Sequence, residues 1–348
     1  MPKNSNSIDE QAARHIIAKR KNIPDAQTLI SKICEGNTTA LSQSITLAES
    51  TAARHQLVAQ EILTGCLPYA NKSLRIGITG VPGVGKSTFI EALGKYLISL
   101  DKKIAVLAID PSSSISHGSI LGDKTRMNDL STNSQAFIRP SAAGDSLGGV
   151  ARKTKEAIIL CEAAGYEIIL IETVGVGQSE TAVHAMTDFF LLLKLAGAGD
   201  ELQGIKRGIM EMADLLVINK ADGENKTAAQ FAASAFTKAL HLYPVKESEW
   251  SPVVKRCSAI NNEGISEIWE SISAYCALVN SNGYFENNRK KQNAYWLKTT
   301  IENTLKDTFY SNPQIKDALP QLLAALNEGK TTPFQAAQEL LKKHNSKN

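Results

Sequence analysis

Cysteine is scarce in this chain of 348 residues, and what there is does not pair. Cys34, Cys66, Cys161, Cys257 and Cys276 are odd in number and widely scattered, with no C-x-x-C. That excludes a disulfide scaffold and a thiolate metal site as organising devices, and fits reduced thiols inside a cell. Long apolar runs are also missing. Stretches such as Ile104–Ile109 fall far short of the ~20 residues needed to cross a bilayer. The opening MPKNSNSIDE lacks an apolar signal core, so a cytoplasmic location is expected. Nor is there charge of one sign: 38 Lys+Arg against 35 Asp+Glu leave +3, too little to make nucleic acid or an anionic membrane the main partner. With 43% hydrophobic and 21% charged residues, the chain has ample core material, and disorder of the whole is excluded.

Residues 1–70 read as helical. Asn37-Thr38-Thr39 offers an N-cap to a segment whose Leu41, Ile45, Leu47 and Ala48 recur at helical spacing. A second helix places Leu57, Val58, Ile62 and Leu63 on one face and ends near Gly65 and Pro68. From residue 74 the period changes. LRIGIT, KIAVLAID, QAFIRP, YEIILIE and DLLVINK are short, largely β-branched runs, several of them continuous enough to be strands buried on both faces of a parallel sheet. Helical stretches at 87–100 and 150–164 alternate with them, which predicts βαβ units. The expected fold is α/β: a mostly parallel central sheet flanked by helices, with helical extensions at both ends. The expected boundaries are 1–70, 71–280 and 281–348. The last segment holds ten Lys/Arg and six Asp/Glu, whose interspersed signs read as a solvated helix face. Its Tyr295, Trp296, Leu297 and Ile301, with Leu319, Leu322, Leu323 and Leu326, are more apolar surface than a free tail needs, and a homodimer held by this segment is expected.

The first strand runs into Gly80-Val81-Pro82-Gly83-Val84-Gly85-Lys86-Ser87-Thr88, a match to G-x-x-x-x-G-K-[ST]. Glycines let successive backbone N–H groups turn around a phosphate, Lys86 places an ammonium beside the β/γ oxygens, and Ser87 offers a hydroxyl to Mg²⁺. The helix starting there adds its positive end. After the strand LLVI comes Asn219-Lys220-Ala221-Asp222, an N-K-x-D pattern. An ionised aspartate only accepts hydrogen bonds, so Asp222 suits guanine, whose N1–H and N2 amino group both donate. Asn219 and Lys220 can brace the neighbouring loop and ring. Ser258-Ala259-Ile260, after PVVKRC, resembles the backbone contact to guanine O6.

Between these motifs, Asp110 ends the strand IAVLAID, Asp123 lies in GDKTRM, and Glu172 ends EIILI and opens ETVGVGQ. The last resembles the D-x-x-G switch of GTPases with Glu for Asp, where Gly175 can give its N–H to the γ-phosphate. Ser87, Asp110, Asp123 and Glu172 together would suit a Mg²⁺–triphosphate. The slot where Ras-like switches carry a water-orienting Gln holds Val176, so hydrolysis is expected to be slow unless a partner completes the site.

GVPGVGKST, AIDPSSS, GDKTRM, FIRPS with LGGVARKT, ETVGVGQSE, GAGDELQGIK and NKADG resemble, in this order, the methylmalonyl-CoA mutase-associated GTPases, the MeaB/ArgK type of the SIMIBI class of P-loop GTPases. RKKQNAYW in the tail is similar to the family's basic-Gln-Trp segment. The resemblance implies a central G domain, an N-terminal helical extension and a C-terminal dimerisation arm. It implies GTP-gated delivery of adenosylcobalamin to methylmalonyl-CoA mutase or a related acyl-CoA mutase, and protection of that enzyme. It further implies that Lys86, Asp123, Glu172 and Lys206 take part in hydrolysis, with residues 197–206 an extra switch that carries Lys206 into the nucleotide site when the mutase binds. Ala196 stands where relatives usually have Pro. Two other readings are a nickel-insertion GTPase and a P-loop kinase. The first wants Cys/His clusters, whereas the six histidines here are isolated; the second wants an acceptor pocket with a hydroxyl-activating base, for which there is no distinct signature.

Overall fold

The computed structural model describes residues 25–109, 127–140, 147–173, 179–197 and 207–345. Among the described residues seven strands form one sheet: β1 (Leu74–Gly80), β2 (Ile104–Ile109), β3 (Ala136–Arg139), β4 (Ile168–Thr173), β5 (Phe189–Leu195), β6 (Leu215–Asn219) and β7 (Val253–Arg256). Their order is β3-β2-β4-β1-β5-β6-β7, and every paired neighbour is parallel. After β1 the chain builds outward to one side, returns to place β4 against β1, and then crosses to β5 on the other flank. β1 is therefore where the winding reverses, and the carboxyl ends of the strands there form the crevice in which doubly wound folds take their ligands.

The continuous apolar runs follow from burial on both faces. Along β4, Ile168 and Leu170 join Phe89, Leu93, Leu97, Ile268 and Ile272 of the helices Lys86–Ser99 and Ile265–Ser281. Ile169 and Ile171 point the other way, into a cluster with Ile158 and Cys161 of the helix Leu147–Ala163. That alternation is the period of two of a strand. Each fully buried Ile or Leu is worth about 1.5–3 kcal/mol.

The N-terminal helices belong to the second of these clusters. Asp25 caps Ala26–Cys34, accepting from Thr28 N at 3.2 Å, and Asn37 caps Thr38–Glu49, accepting from Ala40 N at 2.9 Å. Leu41, Ile45, Leu47 and Ala48 are buried as their spacing predicts. The third helix, Ala53–Cys66, keeps most of the expected face: Ile62 is buried and Val58 and Leu63 pack partly buried against the same cluster, with Leu57 the exception. It buries Ala59, Ile62 and Cys66, while Leu57 is 72% exposed, because the contact stripe runs i, i+3, i+7 from Ala59.

β5 is not among the strands expected from the sequence. Phe189–Leu195 pairs with both β1 and β6, yet FFLLLKL has no β-branched residue and its leucines favour helix as readily as strand.

The tail forms three helices, Tyr284–Ser311, Pro313–Asn327 and Pro333–Asn345. Of its apolar residues Trp296 is buried, whereas Tyr295, Leu297, Ile301 and Leu323 are exposed. The last two helices share a small core of Ile315, Ala318 and Leu340. Among the described residues no helix is long and apolar enough to cross a membrane.

Candidate nucleotide site

β1 ends at Gly80, and the chain turns through residues 81–84 into the helix Lys86–Ser99. Val84 is fully buried in the core beneath, so the loop is pinned at its middle by an apolar side chain. Gly85 caps the helix with φ +90°, and a Cβ there would lie 2.8 Å from the Asn219 amide nitrogen. Glycine is needed for the backbone and for the space. The Lys86 ammonium donates to the Gly80 carbonyl at 2.8 Å and to the Val81 carbonyl at 3.4 Å, which holds it over the loop. Ser87 is half-buried at the helix start and Thr88 is exposed.

The N-K-x-D residues leave the carboxyl end of β6, two strands from β1. The Asn219 Nδ2 donates to the Val84 carbonyl at 2.9 Å, and Lys220 Nζ donates to the Gly83 carbonyl at 2.9 Å. Asn219 Oδ1 accepts from Ala259 N at 3.2 Å and from the Cys257 thiol at 3.3 Å. One buried amide thus joins the P-loop, the end of β6 and the segment after β7. Burial, with the negative Asp222 nearby, pushes the Cys257 thiol up to about 12, so it stays a neutral donor. Asp222 Oδ2 accepts from the Ser258 hydroxyl at 2.5 Å. Reciprocal bonds between Ser258 and Glu263, 3.0 and 3.1 Å long, close the following turn. Ser258 and Ala259 are buried, and Ile260 is 77% exposed.

Glu172 is the penultimate residue of β4 beside β1, in register with Ile78 and with Ala108 of β2, and is only 4% exposed. The next residue, Thr173, donates its hydroxyl to Thr79 at 2.9 Å, a buried link between the strand entering the P-loop and the strand leaving toward Gly175. Sequence reasoning passes over this pair; its signal is a hydroxyl near the end of each of two adjacent apolar strands. Asp110, Asp123, Gly175 and Lys206 lie outside the described residues, as do Val176 and Gln178. For a magnesium ion, the described donors are the Ser87 hydroxyl and the Glu172 carboxylate, both hard oxygen ligands of the kind this cation prefers.

A cavity of about 490 Å³ opens at the other end of the sheet, at the amino ends of β5 and β6, lined by His184, Asp214, Lys246, Trp250 and Tyr275 among others. It takes no part in the site above.

A glycine-rich loop leaving a central parallel strand, tied side chain to backbone to an N-K-x-D loop two strands away, defines a P-loop NTPase fold. The chain belongs to the methylmalonyl-CoA mutase-associated GTPase family: residues 41–314 match the family described as "Methylmalonyl Co-A mutase-associated GTPase MeaB". It is 44% identical over 311 residues to "GTPase ArgK" of Escherichia coli, covering 89% of this chain and 94% of that protein. It is 43% identical over 329 residues to the mouse "Methylmalonic aciduria type A homolog, mitochondrial", covering 92% of this chain and 79% of that protein. A solved structure entitled "Crystal structure of LAO/AO transport system kinase" superposes with a TM-score of 0.75 at 37% identity, covering 93% of this chain and 99% of that one.

Proposed function

We propose that this protein binds and hydrolyses GTP, and that its GTP cycle gates adenosylcobalamin loading into methylmalonyl-CoA mutase, or a related acyl-CoA mutase, and protects that enzyme. The observation that carries the reading is Asn219. It physically couples the phosphate loop to the base-reading loop inside a chain that belongs to the mutase-associated family. In this reading Gly80 to Thr88 wrap the phosphates, Gly175 meets the γ-phosphate, and Asp222 with Ser258, Ala259 and Ile260 selects guanine. Ser87, Asp110, Asp123 and Glu172 would hold Mg²⁺, which when bound neutralises charge on the β- and γ-phosphates. Lys86 stabilises the same charge from the protein side. The protein works as a cytoplasmic homodimer through residues 281–348.

The test is turnover of GTP by the purified protein, alone and with saturating methylmalonyl-CoA mutase, alongside the lifetime of mutase activity with and without this protein and GTP. Stimulated GTP hydrolysis and a longer-lived mutase are expected. Equal binding of ATP and GTP, or a mutase indifferent to this protein, sinks the reading.

A further inference from the structure

Arg289, Gln292 and Trp296 recur at i, i+3 and i+7 on the helix Tyr284–Ser311, and all three are buried. They dock on one short stretch of the G domain, residues 185–188, between the helix Ser179–His184 and β5. The Trp296 indole N–H donates to the Ala185 carbonyl at 2.9 Å, and Gln292 Nε2 donates to the Thr187 carbonyl at 2.7 Å. The Arg289 guanidinium grips the Asp188 carboxylate through Nε at 2.8 Å and Nη2 at 2.7 Å. It also donates to the carbonyls of Asn71 at 2.8 Å and Ser73 at 2.6 Å, and Asp188 in turn accepts from Arg75 N at 2.8 Å.

The two ends of this docking differ in kind. Arg289 is fastened to the base of β1 and β5, the fixed frame of the sheet. Gln292 and Trp296 bind the carbonyls of Thr187 and Ala185, in the turn that follows the helix Ser179–His184. That helix follows the Gly175 segment in sequence, and β4, which precedes the segment, carries Glu172. Further along the same face, the Asn303 side chain lies where a Cβ on Gly148 would stand, so the arm helix also presses on the start of Leu147–Ala163. The arm therefore holds the backbone elbow that follows the switch, and donor-to-carbonyl bonds of 2.7–2.9 Å do not survive a shift of much more than about half an ångström.

We infer that Gln292 and Trp296 are positioning residues for GTP hydrolysis: they clamp the elbow at Ala185 and Thr187, fix the helix that follows the Gly175 segment, and pass its nucleotide-dependent position to the arm. The inference rests on the GTPase reading above. Arg289 anchors the clamp and is not itself the sensor.

Two measurements test it on the full-length protein. The first is the tryptophan emission of the wild type with GDP and with a non-hydrolysable GTP analogue, with Trp296→Phe as the control that removes the reporting indole. A nucleotide-dependent change in the wild type that disappears in Trp296→Phe is expected. The second is Gln292→Leu, which keeps the bulk and loses the donor. Its single-turnover hydrolysis rate is expected to change about tenfold, the scale of one hydrogen bond, while GTP affinity and melting temperature stay within about twofold and a few degrees of the wild type. Emission identical in the two nucleotide states, or a Gln292→Leu rate equal to the wild type's, overturns the inference while leaving GTP hydrolysis standing. A wild type that binds and hydrolyses no GTP overturns the functional reading and this inference together.

Discussion

The Asn219 amide nitrogen lies 2.9 Å from the Val84 carbonyl oxygen, so the N-K-x-D loop holds the glycine-rich loop in shape through one buried side chain. Asn219→Ala removes that donor and also the acceptor for Ala259 N and the Cys257 thiol. Three buried groups lose their partner at once. At about 1 kcal/mol each, a loss of roughly 2–4 kcal/mol of stability is expected, read from the denaturant midpoint. GTP affinity should fall further, because both loops loosen together. Unchanged stability and GTP binding in the variant would show that the bridge carries no weight.

Guanine selection is the companion test. Asp222 already accepts a 2.5 Å bond from Ser258, which orients its carboxylate and leaves acceptor capacity for a base. Asp222→Asn replaces an acceptor-only group with one that presents a donor to guanine's own donors. GTP affinity is expected to fall by roughly 2–4 kcal/mol, and xanthosine triphosphate, which has a carbonyl at the corresponding position, should recover binding. An Asp222→Asn variant that still prefers GTP would refute the assignment.

These loops were legible because their pattern is local: a spacing of glycines, a lysine and an N-K-x-D tetrad each suggest a ligand, and fall at strand ends, before the fold is known. The bridge from Asn219 to Val84 was not, since it joins residues far apart in the chain, brought together only by the parallel order of β1, β5 and β6. β5 escapes for another reason. Phe and Leu fill a strand buried on both faces as well as they fill a helix, and only the sheet decides between them. On Ala53–Cys66 one residue of the expected face departs, while Val58, Ile62 and Leu63 meet the core. Leu57 looks like a core residue by type, but the small Ala59 and Cys66 are what the neighbouring helices approach. In the tail, RKKQNAYW stands out as a segment, while its role as a docking face needs the positions of the Ala185 and Thr187 carbonyls.

Lys155 offers a prediction with a pH signature. Its ammonium nitrogen is buried and finds no hydrogen-bond acceptor among the described residues. Burial lowers it to about 8, with Arg75 and Arg289 pushing the same way and Glu162 and Asp188 opposing. The unfolded chain keeps the ordinary value of 10.5, so between about 8 and 10.5 it binds more protons than the folded protein, and stability rises with pH across that window. Below it the folded state bears the full cost of the buried charge. Lys155→Met should raise stability at pH 7 by roughly 1–3 kcal/mol and flatten the rise above pH 8. Denaturant titrations at pH 7 and pH 10 decide it; a destabilised variant at pH 7 would mean that the amine has a partner when the protein folds.

The dimer proposal calls for a cut in the right place. Removing residues 283–348 would strip Arg289 from Asp188 and Trp296 from the core, and a buried carboxylate without its partner costs several kcal/mol. Truncation after Ser311 keeps those contacts and removes only the helices Pro313–Asn327 and Pro333–Asn345. The shortened protein should melt within a few degrees of the full chain yet run as a monomer in light scattering. If it remains a dimer, the last two helices do not hold the protomers together.

The last prediction concerns the proposal that the mutase client turns hydrolysis on. Val176 fills the slot of the usual water-orienting glutamine, so the protein alone lacks one ordinary part of a fast GTPase. What remains, Lys86 on the phosphate loop and the carboxylates proposed to hold Mg²⁺, favours binding over the positioning of water. Lys206 closes the segment GAGDELQGIK, and a cation brought from there to the β/γ bridge would stabilise charge developing on the leaving oxygen. Elsewhere a partner-supplied arginine does this for gains of ~10³–10⁵ in rate. Lys206→Ala should therefore leave GTP binding and slow basal hydrolysis nearly intact and abolish the stimulation by the mutase. Single-turnover hydrolysis with saturating mutase, wild type against variant, separates the possibilities. Full stimulation in the variant would return Lys206 to an ordinary surface lysine. Loss of basal hydrolysis as well would assign it to binding or folding, and the cation that answers the client would have to be sought on the client itself.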